Sequence, residues 1–135
     1  MLTLAEIQQQ VEDAATLIGA PTNGLPTYGR SDDFGRPYVE VMGRTYYYRA
    51  GERGHQIRKW VTQCSRELFY WIFRDVRGSM AGHWESQHRI PHQDSRRLVF
   101  RKQLELLGQI DPSYAEQRAR EIEEILTRYP YDDER

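Results

Sequence analysis

Residues 67–84 read ELFYWIFRDVRGSMAGHW and form the most apolar and aromatic window of the chain. Apolar residues recur at every fourth position, which places them on one side of a helix because residues three and four apart are neighbours on the helix surface. The recurring residues are Leu68, Ile72, Val76, Met80 and Trp84, and Phe69, Trp71 and Phe73 flank them. The pattern predicts one long amphipathic helix against which the other elements pack.

The ends of this helix are predicted from its flanking residues. Thr62 is a suitable N-cap, because its side-chain oxygen can accept a hydrogen bond from an amide of the first turn. Pro91 cannot continue a helix, so the helix is expected to end near Arg89.

An N-terminal helix is predicted ahead of it. Thr3 and Glu6 have the spacing of a capping box, in which each side chain accepts a hydrogen bond from the other residue's backbone amide. Apolar residues then follow at helical spacing, and Gly19 and Pro21 provide the stop.

Residues 21–37 are rich in Gly, Pro, Asn and Asp, which predicts a long irregular loop. Loops of this length within a compact domain often carry function. Leu25, Tyr28 and Phe34 are the apolar side chains expected to hold the loop against the core.

Three short segments after the loop favour β-structure. Residues 38–42 alternate between two faces, residues 45–49 are rich in tyrosine, and residues 55–61 form a third candidate strand. Gly43 and Arg44 suit a two-residue hairpin turn, because glycine readily adopts the positive φ that such turns require. The segments predict an antiparallel meander of two to three strands.

The C-terminal third predicts two further helices joined by a short link. Asp94 can cap the first of them, and Gly108 is expected to end it. Asp111 and Pro112 are typical of a new helix start, because proline fits the first turn where no amide donor is needed. The short link predicts an antiparallel helix hairpin, and the acidic residues 129–135 are expected to fray.

Together these elements predict an α+β fold in a single domain over residues 1–135. It comprises an N-terminal helix, a small antiparallel β-meander, and three helices, one long and aromatic-rich and two forming the C-terminal hairpin. The length is that of one domain. No apolar run is long enough to span a bilayer, the N-terminus lacks the pattern of a signal peptide, and Cys64 is the single cysteine. A cytoplasmic protein with no cofactor is expected.

Charge is unevenly distributed along the chain. Residues 44–102 carry 13 basic and 5 acidic side chains, whereas the segments on either side are acidic. A basic middle segment can bind nucleic acid, pair with the acidic ends, or select a charged protein partner. Arg96 and Arg97 lie at a predicted helix start, where cations are disfavoured, so one of them is expected to pair with Glu67, Asp75 or Glu85.

Two functional classes follow from side-chain chemistry alone. A nucleic-acid-binding module would use the arginines together with the aromatic rings of Tyr46, Tyr47, Tyr48 and Trp60, on which bases can stack. A small metal-dependent hydrolase would need a ligand set, and the nearest one comprises His83, His88 and His92. His83 and His88 are five residues apart and therefore point in different directions on a helix, so no metal site and no catalytic residue is predicted.

An ordered set of segments resembles a known family. These segments are LAEIQQQVEDAATLIGAP (4–21), LPTYGRSDDFGRPYVEV (25–41), YYYRAGERG (46–54), ELFYWIFRDVRGSMA (67–81), QDSRRLVFRKQLELLGQID (93–111), EIEEIL (121–126) and YPYDD (129–133). They resemble the immunity protein 63 family over nearly the whole chain. The resemblance implies a protein that is encoded beside a bacterial polymorphic toxin and protects the producing cell by binding that toxin. It implies no catalytic site, and the oligomeric state stays open.

The toxin-binding surface is expected on the loop at residues 28–36 and on the adjoining hairpin. These segments combine Tyr, Arg and Asp and are not committed to the helical core. The candidate contact residues are Tyr28, Arg30, Asp32, Asp33, Arg36, Tyr46 and Tyr48.

Overall fold

The computed structural model describes residues 1–134 and contains four helices and a four-stranded sheet. The elements in chain order are α1 (Leu4–Ile18), β1 (Thr27–Tyr28), β2 (Tyr38–Met42), β3 (Thr45–Glu52), β4 (His55–Thr62), α2 (Ser65–Gln87), α3 (Ser95–Ile110) and α4 (Pro112–Arg128), with a short 3₁₀ turn at Thr22–Gly24. This order confirms the predicted α+β fold, from the N-terminal helix to the C-terminal helix hairpin.

The backbone forms two compact units, Met1–Phe73 and Arg74–Arg135, and the boundary falls within α2. The assignment of residues 1–135 to one domain stays a prediction. None of the helices described between residues 1 and 134 is long and apolar enough to cross a membrane.

The first helix confirms both predicted ends. The Thr3 hydroxyl accepts a hydrogen bond from the Glu6 amide at 3.2 Å, and the Glu6 carboxylate accepts one from the Thr3 amide at 3.0 Å. Hydrogen bonds to the Glu6 carboxyl from the Thr3 backbone amide, and secondarily from the Thr3 side chain, lower the pKa of Glu6. Gly19 ends the helix with a left-handed φ of 71°. Ile7 and Val11 are fully buried on the inner side of the helix.

The sheet has the order β1-β2-β3-β4. Strands β2, β3 and β4 form the predicted antiparallel meander, and the third strand is present. The additional strand β1 pairs in parallel with β2, where the sequence predicted irregular loop. A two-residue strand is too short for alternation to reveal it, and its pairing depends on distant partners such as Pro37, whose carbonyl accepts the Thr27 amide at 3.0 Å.

Two tight turns set the register of the meander. Gly43 and Arg44 connect Met42 to Thr45 as predicted, with a φ of 60° at Gly43. Arg53 and Gly54 form the second turn with φ values of 51° and 78°, and a bulge between Ala50 and Gly51 interrupts the β3–β4 ladder. Both central residues of the second turn thus have the positive φ typical of hairpin turns.

Alternation along β3 divides the sheet into two faces. Tyr46, Tyr48 and Ala50 are buried on the inner face, and Tyr48 lies opposite Val39 and Trp60 in the ladder. The Trp60 ring also contacts Trp71 of α2, with ring centroids 5.5 Å apart. We call the opposite side, which carries Tyr47, Arg49, Lys59 and Val61, the outer face.

The long helix α2 differs from its prediction in two respects. It begins at Ser65 rather than directly after Thr62, because Thr62 still belongs to β4 and its hydroxyl accepts the Cys64 amide at 3.0 Å. Leu68, Ile72 and Val76 are buried as predicted, whereas Met80 and Trp84 are only half-buried.

A second row four residues apart stays buried along most of α2. Its members are Phe69, Phe73, Arg77, Ala81 and Glu85. The row contains two charged residues, so hydrophobic periodicity alone does not reveal it.

The C-terminal helices form the predicted hairpin. Asp94 caps α3 by accepting the Arg96 amide at 3.0 Å, and Asp111 caps α4 by accepting the Ser113 amide at 2.8 Å. Gly108 does not end α3, which continues to Ile110. A Cβ atom at Gly108 would lie 3.7 Å from Cβ of Ala115, so this glycine lies at a close approach between α3 and α4.

The acidic C-terminal segment is bound to the start of α3, so the prediction that it frays is wrong for residues 129–133. Arg96 donates to Asp94 at 2.8 Å and to the carbonyl oxygens of Tyr129 and Pro130, also at 2.8 Å. Arg97 pairs with Asp133 at 3.0 Å and lies over the Tyr131 ring.

The predicted pairing of Arg96 or Arg97 with Glu67, Asp75 or Glu85 is therefore wrong. Both guanidinium groups instead have acidic partners close to the start of α3, at Asp94 and Asp133. These carboxylates compensate for two cations at the positive end of a helix.

Asp94 is the charged centre of this arrangement. Its side chain is 1% exposed and accepts hydrogen bonds from Arg96 and from the Asp132 amide. The side-chain bond from Arg96 is the main reason that the pKa of Asp94 lies far below its usual range.

We expect Asp94→Asn to lower the free energy of unfolding by about 1–3 kcal/mol at pH 7, because asparagine can still cap the helix but the charge-assisted hydrogen bonds from Arg96 are lost. A carboxylate with a lowered folded-state pKa stabilises the protein above its unfolded pKa and loses that effect as pH falls. The difference between wild type and variant should therefore shrink below about pH 4.

Urea unfolding at pH 7 and below pH 4 measures this difference. Glu123→Gln, which makes the same chemical change at an exposed position of α4, is the matched control. An Asp94→Asn effect that did not depend on pH would contradict the role given to the carboxylate charge.

Candidate functional site

The segment at residues 28–36, which we call the recognition loop, is fastened to the β3–β4 hairpin. The Asp33 carboxylate accepts the Gly54 amide at 2.9 Å, and the Asp33 carbonyl accepts the Arg53 amide at 3.1 Å. The Gly35 amide donates to the Gly51 carbonyl at 2.8 Å, next to an antiparallel bridge between Phe34 and Glu52. The middle of the loop therefore lies alongside the C-terminal end of β3.

Local hydrogen bonds shape the same segment. The Ser31 hydroxyl accepts the Asp33 amide at 2.9 Å, and the Asp32 carboxylate accepts the Phe34 amide at 2.9 Å. Short polar side chains that bond two residues ahead favour turns over regular structure. Asp33 itself has a φ of 65°, a left-handed conformation that aspartate tolerates better than most residues.

Arg36 fastens the other end of the recognition loop. Its guanidinium donates to the carbonyl oxygens of Leu25 at 2.6 Å and Thr22 at 3.1 Å. Leu25 is buried as predicted. Arg36 therefore holds the loop in place as well as contributing to its surface.

Tyr28 lies in a groove of about 590 Å³ between α1 and the loop, lined also by Glu12 and Arg36. Its hydroxyl is buried and has no hydrogen-bond partner within residues 1–134. Burial, and secondarily the negative charge of Glu12, raises the pKa of Tyr28 to about 12. Tyr28 thus combines a half-buried ring, as the sequence predicted, with a hydroxyl that has no hydrogen-bond partner in the described part of the chain.

Two candidate contact residues are core residues. Tyr46 and Tyr48 are each 1% exposed, and the Tyr46 hydroxyl accepts the Leu2 amide at 2.8 Å. They lie on the inner face of the sheet and cannot reach a partner without local unfolding. Arg30 and Asp32, by contrast, are exposed on the recognition loop.

Phe34 contradicts the prediction that it packs on the core, because 84% of its side chain is exposed. The hydrogen bonds of Asp32, Asp33 and Gly35 hold the backbone on both sides of Phe34 in the conformation that exposes the ring. Ile57 on β4 is 60% exposed and lies beside Gly35, where an added Cβ would be 3.9 Å from the Ile57 Cδ1. Sequence reasoning missed both residues as candidates for binding.

The histidines do not form a metal site in the described part of the chain. No group of three or more His, Cys, Asp or Glu side chains within residues 1–134 is arranged to hold a metal ion. His88 stacks on Trp84 with ring centroids 4.3 Å apart, and its Nδ1 lies 2.8 Å from the Trp84 carbonyl oxygen.

Several arginines of the basic middle segment have partners within their own unit. Arg58 lies over the Trp60 ring at 4.2 Å, and Arg49 lies over Tyr47 and 3.4 Å from a Glu40 oxygen. Tyr46 and Tyr48 are buried, so they offer no stacking surface to bases. The geometry favours internal pairing over a nucleic-acid surface.

We expect the recognition loop to depend on residue 33. Asp33→Ala should lower the free energy of unfolding by about 1 kcal/mol and accelerate hydrogen exchange of the Gly54 amide, because the side-chain acceptor is lost and alanine disfavours positive φ. Asp33→Asn keeps an acceptor oxygen and tolerates this φ, so it serves as the matched variant and should stay closer to wild type. Equal exchange rates at Gly54 in wild type and Asp33→Ala would show that the bond does not hold the loop.

Comparison with known proteins identifies the family. The family model described as immunity protein 63 matches residues 43–124, which is more than half of the chain. The match extends from the β2–β3 turn through most of α4. No curated protein and no solved structure matches the chain. The chain belongs to the immunity protein 63 family.

Proposed function

We propose that this protein is an immunity protein that binds and neutralises a cognate polymorphic toxin in the cytoplasm of the bacterium that produces it. Membership of the immunity protein 63 family is the observation that carries this proposal. The protein would act by binding and not by catalysis, so it needs a stable surface that is complementary to its partner.

The hydrogen bonds of the recognition loop support its use as part of that surface. Asp33 and Gly35 connect the loop to the hairpin, and Arg36 connects it to the chain near Leu25. A loop that is already ordered loses less conformational entropy on binding, which favours affinity. The length of the loop alone would indicate a mobile segment. The hydrogen bonds of Asp33, Gly35 and Arg36 order the loop and make it suitable for tight binding.

Phe34 is the anchor that we propose for this surface. Large aromatic side chains that enter a partner's pocket contribute a disproportionate share of binding energy. Arg30 and Asp32 are exposed on the same loop and would form its polar rim. In this arrangement Tyr28, Asp33 and Arg36 position the loop. Tyr46 and Tyr48 would not contact the toxin, because they belong to the buried inner face of the sheet.

Coexpression with the toxin encoded beside the gene tests the proposed function. Cells that express the active toxin should survive only when the immunity protein is present, and a catalytically inactive toxin should copurify with it. The inactive toxin also serves as the control for toxicity. Equal killing with and without the protein, together with no copurifying complex, would overturn the proposal.

The proposed role of Phe34 as the anchor leads to a separate prediction. Phe34→Ala should weaken binding of the purified inactive toxin by at least about 10-fold, because an aromatic anchor is removed. Its melting temperature should stay near that of wild type, since the ring contributes little to the core.

Leu17→Ala is the matched control, because Leu17 is also a large exposed apolar residue, on α1. Its affinity should equal that of wild type. An affinity for Phe34→Ala within twofold of wild type would exclude Phe34 as the anchor while leaving the toxin-binding function intact.

A further inference from the structure

The outer face of the sheet places two cations directly opposite each other. Arg49 on β3 and Lys59 on β4 are cross-strand partners, and the next pair on the same face is Tyr47 and Val61. Like charges in directly opposed positions destabilise a sheet. The arrangement therefore has a cost in the free protein.

Only one of these two cations, Arg49, has an acidic side chain as its partner in the described part of the chain. Arg49 lies 3.4 Å from the Glu40 carboxylate on β2 and over the Tyr47 ring. Lys59 is exposed and makes no ion pair with any residue between 1 and 134. The outer face thus presents a lysine ammonium group that has no ion-pair partner among residues 1–134.

Exposed apolar side chains flank this lysine along β4. Ile57 is 60% exposed and Val61 is 47% exposed. Single exposed apolar residues are ordinary, but here two of them bracket a cation on the same strand. β4 is also the last strand in the sheet order, and no described strand pairs with its outer edge.

We propose that the outer face around Lys59, bracketed by Ile57 and Val61, is a docking surface for an acidic protein segment of the toxin. The segment would present a carboxylate to the Lys59 ammonium and apolar side chains to Ile57 and Val61. This proposal rests on the proposed toxin-binding function and adds the chemistry of the partner. Charge complementarity supports it, because a partner carboxylate would relieve the repulsion between Lys59 and Arg49.

The docking surface adjoins the recognition loop. Ile57 belongs to this surface and lies beside Gly35, the residue that follows Phe34. Phe34 and the β4 residues can therefore contact the same partner. Both segments lie within the unit Met1–Phe73.

Charge reversal at Lys59 tests the proposal with purified inactive toxin. Lys59→Glu should weaken binding at least about 10-fold at low salt, because the variant carboxylate would repel the partner's acid. Lys59→Gln should weaken binding less and should reduce the dependence of affinity on salt. Arg101→Glu on α3 is the matched control, since Arg101 is exposed and has no described ion pair, and its affinity should stay within twofold of wild type.

The stability of the variant separates docking from misfolding. Lys59→Glu places an acid opposite Arg49, so its melting temperature should equal or exceed that of wild type. Loss of affinity with unchanged or raised stability supports the docking surface, and so does recovery of binding when an acidic toxin residue is changed to lysine.

Two results would have different meanings. Affinity of Lys59→Glu within twofold of wild type, at low and high salt, would overturn this docking surface while wild-type binding still stands. Absence of binding by wild type would instead overturn the proposed function itself. The two failures are therefore distinguishable in one set of measurements.

Discussion

The register of β3 is the constraint on which the first unit depends. Tyr46, Tyr48 and Ala50 must face inward, because a slip of one residue would move all three to the outer face and bury Tyr47 and Arg49 instead. The Gly43–Arg44 turn fixes β3 against β2, and the Arg53–Gly54 turn fixes β4 against β3. The same register brings Gly51 to the Gly35 amide and Gly54 to the Asp33 carboxylate. Core packing and recognition-loop geometry thus follow from one alignment of strands.

In the second unit, charged side chains hold separate segments of the chain together, as the tight turns align the strands in the first unit. Asp94 caps α3, accepts the Arg96 guanidinium and binds the Asp132 amide. Asp133 completes the arrangement by pairing with Arg97 and accepting the Asp94 amide. The protein tolerates burial of the Asp94 carboxylate because hydrogen bonds occupy nearly all of its acceptor positions.

The features that could be predicted from the sequence are those that local chemistry determines. The Thr3–Glu6 capping box, the Asp94 and Asp111 caps, and the Gly43–Arg44 turn all depend on residues within a few positions of each other. The α+β element order followed from periodicity and composition.

The features that could not be predicted depend on distant residues. β1 exists because Thr27 meets Pro37 and Tyr38, and the C-terminal segment is held because Asp133 meets Arg97. The candidate site shows the same limit. Its loop and hairpin were located from composition, yet the exposure of Phe34 and the burial of Tyr46 and Tyr48 depend on strand register.

In the proposed docking surface, Lys59 would satisfy two opposing requirements of a binding protein. A surface that recognises an apolar partner must expose apolar side chains, but an exposed edge strand with such side chains tends to pair with other copies of the chain. A lysine between Ile57 and Val61 opposes such self-pairing, because a second copy would bring another uncompensated cation to the same place. An acidic partner has no such penalty. The lysine charge that disfavours self-pairing of the edge strand would therefore also select an acidic partner.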